Sequence, residues 1–122
     1  MTVSHLMNQL IAELYDNANI NRYVAMADDC ENPYGDVASP GVTDLELCKE
    51  SDCVTLRNKR NNDELTILDL MSSLSVLMLE NSKYADFEVF MDLENDEDAE
   101  SLSIEDVVIR DGFVCLTHSD LD

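Results

Sequence analysis

The chain has 122 residues, of which 45% are hydrophobic, and a formal net charge of -20 from 27 acidic and 7 basic side chains. This length and hydrophobic content fit a single domain over residues 1–122 and exclude global disorder. The negative charge far exceeds the roughly 2 to 8 charges that keep a small domain soluble. It disfavours direct contact with nucleic acid or anionic membranes and favours basic protein surfaces.

The N-terminal segment MTVSHLMNQL lacks the basic stretch of a secretory signal. The longest apolar run, Val76 to Leu79, is far shorter than the about 20 residues that span a bilayer. We therefore expect a cytoplasmic protein with no membrane segment. The four cysteines are expected to be reduced, and Cys48, Cys53 and Cys115 are interpreted as small apolar residues in half-buried strands.

The first predicted element is an N-terminal helix that Thr2 or Ser4 can cap. Its apolar stripe has helical spacing and comprises Leu6, Met7, Leu10, Ile11 and Leu14. A strand is predicted at YVAMADD, residues 23–29. A loop rich in Pro and Gly follows, ADDCENPYGDVASPG, and residues 42–56 are predicted to form a hairpin.

The second half repeats this order of elements. A helix is predicted over residues 66–80, with Thr66 as its cap and Asp69 in its first turn. The main stripe of this helix comprises Leu70, Met71, Leu74, Leu77 and Met78. Its further apolar residues, Leu68, Val76 and Leu79, suit either burial between elements or a subunit interface. A strand at residues 88–94 follows, and then a hairpin over residues 104–116 with its turn at Asp111-Gly112.

These matching segments indicate an internal duplication. TVSHLMNQL aligns with TILDLMSSL, and YVAMADD aligns with EVFMDLE. We predict an α+β fold of two tandem α-β-β-β repeats, residues 1–57 and 64–118, joined by a linker at 58–63. In each repeat a helix covers a three-stranded antiparallel meander, and a pseudo-two-fold axis relates the repeats, since one such unit is too small to be stable alone.

The acidity is concentrated in the second half. Residues 1–60 hold 10 acidic and 5 basic side chains, a net of -5, whereas residues 61–122 hold 17 and 2, a net of -15. The densest segment is DLENDEDAE, residues 92–100, with six carboxylates and no basic residue. The fold that the two repeats share cannot explain this threefold difference in net charge. We therefore interpret the acidity of the second repeat as functional.

No motif in the chain predicts a metal site, a cofactor site or catalysis. DLENDEDAE begins like a calcium loop, but Glu97 stands where that loop needs Gly and Ser103 where it needs a bidentate Glu. The cysteines lack zinc-site spacing, and His5 and His118 are isolated. His118, Ser119 and Asp120 are consecutive and cannot form a catalytic triad with one another. We expect a protein that is not an enzyme and has no cofactor.

In size, acidity and lack of catalytic motifs, the chain resembles the DNA-mimic inhibitors of bacteriophages and mobile elements, such as the uracil-DNA glycosylase inhibitor, anti-restriction proteins and anti-CRISPR proteins. It is also similar to small phage proteins that end in a hairpin such as IEDVVIRDGFVCL after a helix such as TILDLMSSL. The resemblance implies an inhibitor that occludes the nucleic-acid-binding surface of a host protein, in the host cytoplasm if a phage encodes it.

The predicted function is therefore a nucleic-acid mimic that binds a basic host protein, with a defence nuclease complex as the expected target. Duplex DNA carries one charge per about 1.7 Å, so ~20 charges match roughly 34 Å of its axis. The predicted contacts are Asp92, Glu94, Asp96, Glu97, Asp98 and Glu100, a second group of Glu105, Asp106 and Asp111, and Tyr34 as an aromatic anchor. The alternative is an interaction or assembly module, for example a homodimer through helix 66–80, in which the acidity serves only solubility. A solvated acidic face that keeps a small protein soluble is a competing interpretation of the carboxylates.

Overall fold

In a computed structural model of the chain, the described residues are 1–17, 22–27, 41–59, 62–92, 102–110 and 113–117. They form two α-helices, one 3-10 helix and seven strands in two sheets, which confirms the α+β class, while the tandem repeat and its pseudo-two-fold axis stay predictions. Within these ranges, no helix is long and apolar enough to cross a membrane.

Helix α1 runs from Val3 to Asn17 and packs one face on the core. The Thr2 Oγ1 atom accepts a hydrogen bond from the His5 N–H at 3.2 Å, so Thr2 is the cap. The predicted stripe is wrong at Ile11, which lies at the edge of the buried face and is 47% exposed. The rest of that stripe is buried at Leu6 and Leu10 and partly buried at Met7 and Leu14.

Helix α2 runs from Ile67 to Glu80 and begins with the predicted cap. Thr66 Oγ1 accepts from the Asp69 N–H at 3.3 Å, while the Asp69 carboxylate accepts from the Thr66 N–H at 3.2 Å. This capping box satisfies two N–H groups that have no partner inside the helix. The main stripe is confirmed: Leu70, Leu74 and Leu77 are buried, with Met71 and Met78 partly buried beside them.

A short 3-10 helix, Ser82–Asp86, follows α2 where the sequence suggests only a polar link. The Asn81 side chain accepts from the Lys83 N–H at 3.0 Å and starts this turn. Tyr84 is buried, and its ring meets Phe87 edge-to-face at a centroid distance of 5.0 Å. Such a pair packs the chain between α2 and the next strand against the core.

The larger sheet has four strands in the order β2-β3-β4-β5. These are β2 (Asp44–Cys48), β3 (Cys53–Arg57), β4 (Glu88–Asp92) and β5 (Leu102–Ser103), with β1 (Val24–Ala27) in the other sheet. The β2–β3 and β4–β5 pairs are antiparallel, whereas β3 and β4 are parallel. Parallel neighbours need a crossover connection, usually a helix, and α2 provides it here.

The smaller sheet has the order β1-β7-β6, where β6 is Asp106–Arg110 and β7 is Phe113–Thr117. Strands β6 and β7 form the predicted antiparallel hairpin, with Arg110 opposite Phe113. Strand β1 pairs with β7 in parallel, with Val24 opposite Val114. The turn residues Asp111 and Gly112 lie outside the described residues.

The predicted antiparallel meanders are wrong. The first strand of each half does not pair with its own hairpin: β1 lies beside β7, and β4 lies beside β3. The sequence segments 1–57 and 64–118 therefore each contribute strands to both sheets. Alternation of buried residues cannot reveal this, because it fixes which face of a strand is apolar but not which strand is its neighbour.

One cluster of buried apolar side chains joins both helices and both sheets. Its largest fully buried members are Leu6, Leu10, Met26, Leu56, Ile67, Leu70, Leu74, Met91, Ile104 and Leu116. On β3 and β4 the core-facing residues alternate with residues that, apart from Phe90, are polar, as expected for a sheet with one face in the core. Those polar residues form the face described next.

Candidate partner-binding surface

The larger sheet has a polar face, which we define by residues 44, 46 and 48 of β2, 53, 55 and 57 of β3, and 88, 90 and 92 of β4. Val54, Leu56, Val89 and Met91 lie between these positions and are fully buried in the core. Because successive side chains of a strand point to opposite faces, this alternation assigns the polar set to the other side.

At one end of the polar face, Arg57 and Asp92 are direct neighbours on the parallel strands β3 and β4. A nitrogen of the Arg57 guanidinium donates to Asp92 Oδ2 at 2.6 Å. The Asp92 side chain is only 4% exposed and that of Arg57 is 28% exposed. A charge-assisted bond of this length at a buried carboxylate is among the stronger polar contacts in proteins.

Arg57 also meets a second carboxylate across the β2–β3 pair. Its Nε atom lies 2.8 Å from Glu46 Oε2, but the N–H does not point at a hydrogen-bond acceptor, so this contact is an ion pair rather than a hydrogen bond. Lys59 Nζ approaches the other oxygen of Glu46 at 3.4 Å. Two of the chain's seven basic side chains are thus engaged with Glu46 and Asp92.

Thr43 lies beside the ion pairs of Arg57 and Lys59 and contacts both residues through its hydroxyl. Its buried hydroxyl lies 2.7 Å from Asp44 Oδ2 and 3.2 Å from the Arg57 carbonyl oxygen, and it accepts from the Lys59 N–H at 2.7 Å. A hydroxyl has one proton, and the shorter contact to a charged acceptor is the stronger of the two. The Asn62 amide also donates to Asp44 Oδ2, at 2.8 Å.

These contacts lower the pKa of Asp44 below its ordinary value of 3.8. The hydrogen bond from Thr43 is the main cause, and Asn62 and the charge of Lys59 add to it against a smaller opposing effect of burial. Asp44 is therefore a structural carboxylate, stabilised in its charged form by its neighbours.

Of the predicted partner contacts, Asp92, Glu105 and Asp106 are described. Asp92 is buried at the Arg57 end of β4, so its described position is in the interior and not on the surface where a partner contact was predicted. The parallel β3–β4 register explains this, because it puts the carboxylate directly beside Arg57. Glu94, Asp96, Glu97, Asp98, Glu100, Asp111 and Tyr34 lie outside the described residues.

Glu105 and Asp106 are exposed, and Glu105 lies at the opposite end of β4 from Asp92. The antiparallel β4–β5 register brings Glu105 toward Glu88, four residues or about 13 Å along the strand from Asp92. The two groups of predicted contacts are thus separated where they are described. The segment 93–101 starts after β4 and returns at β5, whose Leu102 pairs with Met91.

Glu88 and Glu105 line an open cleft of about 290 Å³ together with Met1, His5, Ser103 and Ile104. The amino group of Met1 lies 2.9 Å from Glu88 Oε2. Among the residues that the structure describes, no group of three or more His, Cys, Asp or Glu is arranged to hold a metal ion. The cleft is a shallow acidic surface at the end of the larger sheet.

Most acidic side chains of the described ranges are on the surface. Eleven are exposed: Glu46, Glu50, Asp52, Asp63, Glu64, Asp69, Glu80, Asp86, Glu88, Glu105 and Asp106. Of the basic side chains whose exposure the structure describes, Lys49, Lys59 and Lys83 are exposed, and Lys59 faces Glu46. The described surface therefore carries a large excess of negative charge.

Helix α2 has a second, exposed apolar face opposite its buried stripe. Leu68 is 46% exposed, Val76 55% and Leu79 86%, and their spacing puts them on one side of the helix. Burial between elements of this chain, one of the two predicted roles, is therefore wrong for these residues. Their role at a subunit interface stays a prediction.

No known protein family matches the chain, and no curated protein or solved structure is significantly similar to it. The site must be interpreted from its own residues. Sequence reasoning missed the cluster of Thr43, Asp44, Arg57 and Lys59. The available signal was the alternation of polar and apolar residues along β3, which puts Arg57 on a polar face. That Asp92 is its partner could not be predicted in this way, because the pairing requires β3 and β4 to be neighbours.

Proposed function

We propose that this protein is an acidic mimic of nucleic acid that binds the basic nucleic-acid-binding surface of a host protein and blocks it. A defence nuclease complex is the target class that fits this role. The observation that carries the proposal is the excess of exposed carboxylates over exposed basic side chains, eleven against three among the side chains whose exposure is described.

The ion pairs of the polar face support the proposal. Arg57 and Lys59 are held by Glu46 and Asp92, so they do not interrupt the negative surface as free cations would. Asp92 has a structural role in this arrangement: it fixes the point at which the segment 93–101 leaves β4. The proposed contacts are consequently Glu94, Asp96, Glu97, Asp98 and Glu100.

Glu105, about one strand length from Asp92, and Asp106 form a second contact group, with Asp111 and Tyr34 as further contacts. Carboxylates distributed over such a distance suit a groove that normally tracks a phosphate backbone. The partner's Lys and Arg side chains would pair with these carboxylates, and the counterions bound to both surfaces would be released. Binding should therefore weaken steeply as the salt concentration is raised. The chain contributes no chemistry in this role, only shape and charge.

The test is capture from a bacterial lysate on the immobilised full chain at low salt, with elution by salt. The first variant combines Asp96→Asn, Glu97→Gln and Asp98→Asn. The matched control combines Asp63→Asn, Glu80→Gln and Asp86→Asn, which removes three exposed charges of the same types elsewhere. Mimicry predicts that the first variant loses the salt-eluted nucleic-acid-binding proteins while the control retains them. Equal capture by both variants would contradict it.

A second candidate is an assembly module that uses the exposed apolar face of α2. The observation favouring it is the exposure of Leu68, Val76 and Leu79, since large apolar side chains grouped on one helix face are typical of interaction sites. Changing Val76 and Leu79 to Ser should then abolish self-association in sedimentation, while the same capture from lysate is unchanged. A chain that is monomeric at all concentrations would contradict a homodimer.

The duplicated α-β-β-β architecture with a pseudo-two-fold axis also belongs to this proposal. Its support is the reciprocal strand exchange: β1 joins the second hairpin in parallel, just as β4 joins the first. A two-fold axis relating the two halves would superimpose the β1–β7 pair on the β4–β3 pair. The more acidic second copy would then be the half specialised for contact.

A further inference from the structure

Cys48 and Cys53 face each other across the β2–β3 hairpin. They are the last paired residues before the turn Lys49–Asp52, directly opposite in the antiparallel register. Directly opposite residues of such a ladder have Cα atoms about 4.5 or about 5.5 Å apart, depending on the hydrogen-bond pattern. Both values lie within the roughly 4.4–6.8 Å that a disulfide spans.

Both thiols are accessible. Each cysteine is free and half-buried on its strand, and neither belongs to the hydrophobic core. They lie on the polar face of the sheet with Glu46 and Thr55. A half-exposed pair is open to small reagents, unlike a cysteine enclosed in the core.

The two thiols are not equivalent. Hydrogen bonds from Ser51, through its side chain and its backbone, lower the pKa of Cys48. Burial, with the nearby charge of Cys48, raises the pKa of Cys53. This difference suits an attacking and a resolving cysteine, because the thiolate is the nucleophile in disulfide exchange.

The turn between them is anchored from the neighbouring strand. The Asp52 carbonyl oxygen accepts from the Glu88 N–H at 3.3 Å, which ties the turn to the start of β4. Asp52 itself has a positive φ of 51°, a conformation that lets the chain reverse within four residues. The pair is thus held opposed by the sheet and needs no rearrangement of the strands to meet.

We propose that Cys48 and Cys53 form a reversible intramolecular disulfide by exchange with a low-molecular-weight disulfide of the glutathione class. The Cys48 thiolate attacks one sulfur of the small disulfide, forming a mixed disulfide and releasing one small thiolate. The Cys53 thiolate then attacks Cys48 Sγ, forming the protein disulfide and releasing the second. The protein loses two electrons and two protons, and the small disulfide becomes two thiols. This modification site is independent of the proposed function.

The test incubates the full chain with mixtures of oxidised and reduced glutathione, traps free thiols by alkylation, and maps the peptides by mass spectrometry. We expect a Cys48–Cys53 disulfide that forms with oxidised glutathione and is reversed by excess reduced glutathione. In Cys53→Ser, glutathione should stay attached to Cys48, because the resolving thiol is gone. The variant Cys30→Ser with Cys115→Ser is the matched control and should form the same disulfide as the wild type.

Three results would overturn the proposal. The first is wild-type protein whose Cys48 and Cys53 remain alkylatable in excess oxidised glutathione. The second is stable glutathione on Cys48 despite the presence of Cys53. The third is a disulfide that joins either residue to Cys30 or Cys115 instead. Because the wild-type chain alone distinguishes these outcomes, the test does not depend on the folding of any variant.

Discussion

The two ends of strand β4 carry carboxylates in opposite situations. At its C-terminal end, Asp92 is buried and bonded to Arg57, within a cluster that also engages Glu46 and Lys59. At its N-terminal end, Glu88 is exposed beside the exposed Glu105. The comparison teaches that two carboxylates of one strand can differ completely: their neighbours in the sheet decide whether a side chain is buried in an ion pair or exposed on the surface.

The strongest test of this difference is Arg57→Ala. Asp92 would keep its buried position but lose the guanidinium, and we expect the free energy of unfolding to fall by about 3 kcal/mol. Urea denaturation followed by circular dichroism measures it. The control is Lys59→Ala, whose ion pair with Glu46 is exposed and should contribute at most about 1 kcal/mol. Equal losses would mean that the Arg57–Asp92 pair is no more important than a surface contact.

A smaller loss is expected for Thr43→Val, which keeps the shape of the side chain but removes its hydroxyl. Asp44 loses a donor, and the Lys59 N–H loses its acceptor. We expect about 1.5 kcal/mol of destabilisation in the same urea experiment. Thr2→Val, which removes the α1 cap at the other end of the sheet, is a comparison variant with an expected loss of about 1 kcal/mol. An unchanged midpoint for Thr43→Val would show that the cluster does not depend on this hydroxyl.

The fold of the larger sheet and the site were predictable to different extents. Both helices, the Thr66–Asp69 capping box and both hairpins follow from local spacing and turn residues, which act over a few positions. The parallel pairs β3–β4 and β1–β7 could not be predicted, since every apolar strand offers the same alternation to any neighbour. The burial of Asp92 could not be predicted for the same reason, since its partner Arg57 lies thirty-five residues away in the sequence.

A pH titration sharpens the same comparison. Because Asp44 has a pKa below its ordinary 3.8 in the folded chain, its contribution to stability is present above that value and is lost as the pH falls through the lowered pKa. Urea midpoints between about pH 5 and pH 2 should fall less steeply in Asp44→Asn than in the wild type. Identical slopes would remove Asp44 from the stabilising cluster.

The smallest effect on stability is expected at the exposed end of β4. Glu105→Gln should change the free energy of unfolding by no more than about 0.5 kcal/mol, since the side chain is exposed and outside the ion pairs of the polar face. Its effect should fall on binding instead, as weaker retention of a captured partner at intermediate salt. Destabilisation comparable to that of Arg57→Ala would mean that both ends of β4 have structural roles.

The central claim, that the acidic surface replaces nucleic acid on a basic protein, is tested most directly by competition. A partner captured by the wild-type chain would be mixed with fluorescent duplex DNA, and the chain would be titrated in while anisotropy is recorded at two salt concentrations. Mimicry predicts complete displacement of the DNA, weaker at the higher salt, with little displacement by the Asp96→Asn, Glu97→Gln, Asp98→Asn variant. A ternary complex, in which the partner holds the DNA and this protein together, would contradict it.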